Sequence, residues 1–507
     1  MTKIIWILTI PFVYNVAFGA NGSTIKVAWE APIRFYDSRY AVDADSQYVE
    51  DLVHCSLISF NEAGRGVPDL ADGEPRWESP TSLVVKIKPN AKFSNGDAVT
   101  VEDVKATYNF FLSNSGEPSP RASAFTNIKE ITTPNKDEIH FSLKQPDASF
   151  VSNLIVGILP KKLAEGKIIT EAKNVVGCGP FTLEKTEVLS LSLVPNPNYT
   201  LDKTPKVAGI EFKIIRDEKT RFAKLVKGEV DLVQNNINRE TLKQISKKYP
   251  NLIVQKKLGL KTTYLGFNMK DPLTGNIAVR KAIAYALEKD TIIKYILGDL
   301  ATPATTMLTP EDPFLSKSLD PYSHDIAKAN AVLDAAGLKP AKGAKYRFSL
   351  TYKTTTDTTR VNIAKAVASQ LKKVGIDVQI LPMEWGRFKE DVEKGRIQLW
   401  GLTWVGFKDP DIYRYAFSSD SVPPNGANRG WYSNPQLDKL LEQGKATTKL
   451  EDRIKIYNEI QKIVNADLPY VFLWHEENFA VFSNKLVGFQ LYADGRLSAL
   501  SSSYLKM

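Results

Sequence analysis

The alternation of residues 345–404 constrains this chain more than any other feature. "KYRFSLTYK" alternates as a strand, and Thr358 to Val374 puts Val361, Ala364, Ala368 and Leu371 on one helical face. "IDVQILP" reads as a second strand, Trp385 to Lys394 as a short helix, and "RIQLWGLTW" as a third strand. Such a β-α-β-α-β unit demands parallel strands joined by right-handed crossovers. Ligands of these sheets lie beyond the carboxyl ends of the strands, where the following loops converge. The loop leaving the third strand is "TWVGFKDPD", in which Trp404 and Phe407 flank Gly406 and are followed by Lys408, Asp409, Pro410 and Asp411.

The rest of the chain supplies further mixed α/β material. "STIKVAW" alternates like a strand, and Ser46 to Phe60 has helical spacing at Tyr48, Leu52 and Val53. A strand at Leu83 to Ile87 and a turn at Asn95-Gly96 precede Thr100 and Asp103, a capping pair that opens a helix carrying Val101, Val104, Tyr108 and Phe111. Strands and turns fill Asn174 to Val233, with a helix around Lys219 to Lys227. "TTYLGF" is a strand, the strand-to-loop change near Asn268 is a candidate crossover between lobes, and Val279, Ile283 and Leu287 mark one long helical stretch. Helices at Asn434 to Lys445 and Lys449 to Asn465 lead to strands "LPYVFLWHEENFAVF" and "LVGFQL". No repeat or low-complexity linker interrupts the 507 residues.

The first residues, "MTKIIWILTIPFVYNVAFGANG", read as a secretory leader cleaved near Gly19; the apolar run is short and broken by Pro11 and Asn15, against the 20 or so residues a spanning helix needs. Export would expose the two cysteines, Cys55 and Cys178, to oxidation. A bridge between them and two separate buried thiols are both compatible with the sequence. The formal charge of +9 is spread as lysine pairs alternating with acids, which fits a solvated surface rather than a nucleic-acid patch.

Catalytic and metal motifs are missing. His54, His140, His324 and His475 are scattered, "HEEN" lacks a second histidine, and there is no G-x-S-x-G, P-loop or G-x-G-x-x-G. Asp409 and Asp411 form the sharpest carboxylate pair, but Pro410 between them reads as turn chemistry. Trp385, Trp400, Trp404, Trp431 and Trp474 all fall in the second half, where aromatics can wall a ligand pocket. Trp400 reads as core. Trp404 at a strand end, and Arg429 with Trp431 in "PPNGANRGWYSNP", are candidate ligand contacts.

The order of segments resembles the extracellular solute-binding proteins of family 5, the dipeptide, oligopeptide and nickel class that serves ABC importers. The resemblance is carried by "VVKIKPNAKFSNGDAVTVEDVKATYNFF", "GCGPFTLEK", "YLGFNMKDPLTGNIAVRKAIAYALEKDTIIKYILG", "AKANAVLDAAGL", "SQLKKVGIDVQI" and "WYSNPQLDKLLEQG". It implies an α/β, two-lobed periplasmic binding protein fold of type II with an extra subdomain on lobe one and a ligand cleft between lobes. Lobe one would comprise residues 22–268 completed by 478–507, and lobe two residues 269–477. The implied function is capture of a peptide or peptide-like solute by lobe closure, as a monomer, for an inner-membrane ABC permease, with no cofactor, metal, nucleic acid or catalysis.

The expected ligand-binding residues are Trp404, Gly406, Phe407, Asp409, Arg429 and Trp431. In peptide-binding members the corresponding loop carries an Asp that pairs with the peptide's amino terminus; here that place falls on Gly406 or Phe407, and neither is an acid. Asp409, or Glu30 in "WEAPIRFYD", is the substitute the sequence offers. The missing acid also fits a solute without a free α-amine, such as a sugar, an opine-like compound or a metal chelate. A secreted carboxylate-dependent hydrolase, or a chaperone or sensor on the same scaffold, are the other readings.

Overall fold

The computed structural model describes residues 22–113, 118–202 and 204–506; the expected leader, 1–19, lies outside them. Among the described residues, eleven strands form one mixed sheet: β1 (Thr24–Trp29), β2 (Phe181–Glu187), β3 (Ser190–Pro195), β4 (Gly209–Ile214), β5 (Leu232–Gln234), β6 (Leu252–Phe267), β7 (Ala301–Pro303), β8 (Phe348–Thr355), β9 (Ile376–Met383), β10 (Leu399–Val405) and β11 (Tyr470–Ser483). The order across the sheet is β9, β8, β10, β6, β11, β5, β1, β4, β3, β2, with β7 added on β11. The alternating unit forms as its periodicity predicts. β8 is parallel to both β9 and β10, and helices Thr358–Lys372 and Trp385–Glu393 make the crossovers.

β6 and β11 run through both lobes as an antiparallel pair, from Leu252 opposite Ser483 to Gly266 opposite Tyr470. The Leu252 half belongs with β5 and β1, the Phe267 half with β10 and β8. Between them the ladder slips from Leu258 to Thr262. In that gap the Leu260 N–H donates to the Ala493 carbonyl at 3.1 Å, and the Leu260 carbonyl accepts from the Gly406 N–H at 3.1 Å.

Each side of the gap has its own core. Ile25, Val27, Phe212 and Leu232 pack in the first lobe. In the second, Leu350, Val367, Leu371 and Trp474 cover one face of the sheet, while Tyr264, Trp400, Tyr413 and Tyr457 cover the other. A separate four-stranded antiparallel sheet, Arg76–Ser79, Ser82–Lys86, Glu138–Leu143 and Ile128–Thr132 in that order, forms the extra subdomain. Its helix, Val101–Asn109, starts in the capping box formed by Thr100 and Asp103, and Val101, Val104, Tyr108 and Phe111 are all buried. Cys55 and Cys178 are joined in a disulfide. No helix among the described residues is long and apolar enough to cross a membrane.

Three local expectations change. The stretch from Ser46 is helical only over Ala44–Val53, because the Val53 carbonyl accepts from the Gly179 N–H and the chain leaves extended at His54 toward a short strand at Ile58–Phe60. The long stretch through Leu287 is two helices, Ile277–Ala286 and Lys289–Ile296. Leu287 is extended and buried there, and the Gln370 side-chain amide satisfies both backbone groups of Glu288, at 2.9 and 3.2 Å. "LVGFQL" pairs only at Leu486–Val487, since Gly488 turns the chain with φ +82°.

Candidate functional site

β10 ends at Val405, which is 64% exposed, and the loop after it begins with Gly406, whose φ of +68° is a left-handed conformation that glycine adopts freely. A Cβ at Gly406 would meet nothing within 4 Å. Directly opposed residues of antiparallel strands share a face. The pairs Trp404 with Thr262, Leu402 with Tyr264 and Trp400 with Gly266 therefore put Trp404, Tyr264 and Trp400 on one face of the sheet. Trp404 stacks on Tyr264 at 6.1 Å and meets the half-exposed Tyr415 edge-on at 6.1 Å. The Arg429 guanidinium lies 5.3 Å over the Trp404 ring, with one nitrogen 3.5 Å from the Tyr264 hydroxyl. Phe407 packs half-buried against the same cluster.

Lys408 points the other way, into the first lobe. Its ammonium lies 3.6 Å over the Phe60 ring and 3.4 Å from Asp494 Oδ2. Arg496 completes the cluster, bonding Asp494 at 2.7 Å and Asp51 at 3.2 Å. Burial, and then Arg496 beside it, bring the Lys408 ammonium down to about 8. Burial pushes the Asp494 carboxyl up, but Arg496 and Lys408 together outweigh it and hold the group below its ordinary value.

Asp409 does not face a cavity with a free carboxylate. It accepts two bonds from the Arg453 guanidinium, at 2.7 and 2.9 Å, and one from the Asp411 N–H at 2.8 Å. Asp411 accepts from the Tyr457 hydroxyl at 3.0 Å; burial first, and Asp409 second, push it up to about 7. Trp431 is not brought to this wall. At φ +53° it packs against Gly395, before the start of β10, with Lys270 5.3 Å from its ring, at the opposite end of the strand from Gly406.

On the other face of the sheet, β8 and β10 pair only at Tyr352 with Leu399 and Lys353 with Trp400, then diverge. The β8 side of Gly401–Val405 has no strand partner among the described residues. A cavity of about 170 Å³ fills the split, lined by Tyr352, Thr354, Asp357, Arg360, Gly401 and Thr403 among others. It shares Arg239, Leu297 and Glu476 with a larger cavity of about 640 Å³ that reaches Asn235 and Asn238 of the first lobe and Lys261, Glu477 and Asn478 at the gap in the ladder. Charges of both signs line this space: Arg239, Lys261 and Arg360 against Glu240, Asp357, Glu476 and Glu477. Thr263 donates to Glu476 at 3.0 Å and lies 2.8 Å from Thr403. Burial raises the Glu477 carboxyl, and its Oε2 is buried with no hydrogen-bond partner among the described residues. No group of three or more His, Cys, Asp or Glu side chains there or elsewhere in the described residues could hold a metal.

Sequence reasoning did not single out Arg239, Asp357, Arg360 or Glu476. Asp357 and Arg360 could have been found, because they follow the carboxyl end of β8 as the aromatic loop follows β10. Asp357 caps the helix through the Arg360 N–H at 2.9 Å.

A model of the bacterial extracellular solute-binding proteins, family 5, matches residues 66–425. The oligopeptide-binding protein AppA of Bacillus subtilis (strain 168) is 27% identical over 486 residues, covering 90% of this chain and 87% of AppA. The probable D,D-dipeptide-binding periplasmic protein DdpA of Escherichia coli (strain K12) is 30% identical over 438 residues, covering 83% and 81%. Among solved structures, HbpA2 of Haemophilus parasuis superposes with a TM-score of 0.85 at 21% identity, over 96% of this chain and all of the other. With the family pattern spanning most of the two-lobed fold, the chain belongs to the bacterial extracellular solute-binding proteins of family 5.

Proposed function

We propose that this chain is the periplasmic capture component of an ABC importer and that its solute is a peptide or peptide-like molecule enclosed when the lobes close. The observation that carries the reading is the unpaired edge of β10 at Gly401–Val405 beside a cavity lined by both signs of charge. An extended peptide adds to such an edge as a further strand: its backbone supplies the hydrogen bonds and its alternate side chains enter flanking pockets. Lining acids and guanidinium groups suit a zwitterion. The relatives' names, oligopeptide-binding and D,D-dipeptide-binding, support the solute class.

The slipped ladder at Gly259–Lys261, beside Glu476 and Glu477 on β11, supports a turning point of the lobes there, on the same strand that ends next to the crossover expected near Asn268. The leader at residues 1–19, export to the periplasm, a monomeric state and delivery to an inner-membrane permease complete the reading. A solute without a free α-amine is the second reading. It is favoured by one observation: Gly406 and Phe407 offer no acid, and Asp409 is occupied by Arg453.

Native mass spectrometry of the purified chain mixed with a tri- to pentapeptide library tests this. Retention of peptides is expected, falling about tenfold or more when the library backbone is N-methylated, since each lost ladder bond removes part of the binding energy. Retention of a sugar or chelate instead, with no peptide bound, would overturn the peptide assignment and leave capture standing.

A further inference from the structure

The charges around the aromatic wall are unevenly satisfied. Asp409 is held by Arg453, Asp411 by Tyr457, and Lys408 by Asp494. Arg414 pairs with Glu442. Arg429 alone among these is left over: within the described residues it forms no ion pair, and its polar neighbour is the uncharged Tyr264 hydroxyl at 3.5 Å. Its guanidinium is half-buried, with the ring of Trp404 beneath it and the half-exposed Tyr415 meeting that ring edge-on, so it is partly desolvated while keeping some contact with solvent. The Trp404 indole N–H behind it is buried and has no hydrogen-bond acceptor among the described residues.

A planar guanidinium presents its donors as a fork that matches a carboxylate, and it binds most strongly where neighbouring rings exclude water. Arg429 stands on the face of the sheet opposite the cavity at the β10 edge, on the wall that also carries Phe407, one of the two places where a peptide-anchoring acid is expected; a strand added to the β10 edge sends alternate side chains to both faces and so can reach it. We propose that Arg429 is a specificity-determining receptor for a carboxylate of the solute. The polarity at this end of the site is thus reversed, and the group presented to the Trp404 wall is an anion. This rests on the capture reading above. The carboxylate has two sources in a peptide, its carboxyl terminus or an acidic side chain, and both share the chemistry that Arg429 recognises.

The test uses three tripeptide libraries, all amino-terminally acetylated and offered to the full mature chain under native mass spectrometry. One has a free carboxyl terminus, one is amidated, and one is amidated with a central glutamate. Wild type is expected to retain the first, the third or both about tenfold or more over the second, and the preferred library names the source. Arg429→Gln should abolish the preference, and Arg429→Lys, which keeps the charge without the fork, should keep part of it. Equal retention of all three libraries, or an unchanged preference in Arg429→Gln, overturns the proposal.

If no library is retained at all, the peptide reading fails separately. The anion site is then read from thermal melting in glutarate against chloride at equal ionic strength. A rise in melting temperature confined to wild type supports the site, and an equal rise in Arg429→Gln overturns it.

Discussion

Replacing Asp409 with Asn probes what holds the aromatic loop in place. The carboxylate and the Arg453 guanidinium are 16% and 7% exposed and joined by two bonds, so the pair is shielded from the screening that makes surface ion pairs worth little. Removing one partner of a buried pair leaves an uncompensated charge and costs about 3–5 kcal/mol. Arg453 keeps its bond to the Gly444 carbonyl and its place beside the rings of Phe314 and Tyr457, and an Asn carbonyl can still accept from the Asp411 N–H. The lower end, about 3 kcal/mol, is therefore expected, equivalent to roughly a hundredfold more frequent local opening. Amide hydrogen exchange across Ile412–Phe417 and Leu450–Asp467 reads this directly. The double variant Asp409→Asn/Arg453→Met should recover most of the protection, because no lone cation is then buried. Exchange in Asp409→Asn within about 0.5 kcal/mol of wild type would refute the brace, and peptide hydrolysis by wild type that the variant lacks would revive the carboxylate as a catalyst.

Asp411 has its folded pKa raised to about 7 from 3.8, so the unfolded state loses its proton first. Its contribution is therefore most favourable below pH 4 and declines as pH rises to about 7; Asp411→Asn should gain stability relative to wild type across that window in urea titrations. Gly406→Asp places a carboxylate in open space at a left-handed position, and it should cost about 1 kcal/mol while raising affinity for amino-terminally free peptides in calorimetry. Unchanged affinity would show that this position does not face the solute. Replacing both Cys55 and Cys178 with Ser opens a loop of 123 residues and should cost about 5 kcal/mol in the chain-entropy model, read as a lowered denaturant midpoint.

What the sequence showed depended on the range over which each feature is determined. The β-α-β-α-β unit and the capping box at Thr100 are local, set by periodicity and by side chains three residues apart. The helix break at Leu287 was hidden because the amide that stabilises it, Gln370, arrives from a distant helix. Trp431 looked like a partner of Arg429 two residues before it, yet a left-handed backbone sends it against Gly395. Asp409 was legible as a loop brace through its Asp-Pro turn, but its partner Arg453 was not, since nothing local selects it. Arg239 and Glu476 come together only through the two long strands.

Those strands decide how the molecule can deform. Two neighbouring segments, hydrogen-bonded to each other on either side of the gap, form a ribbon that resists shear and torsion far better than a lone tether would. The ladder between them is interrupted at Gly259–Lys261, and Leu260 there is bonded toward both sides, to Ala493 and to Gly406. A change of angle between the lobes, as proposed above, would have to bend both strands together. In the capture proposed above, a solute would set how far such a bend goes, so its length would be read as an angle between the lobes.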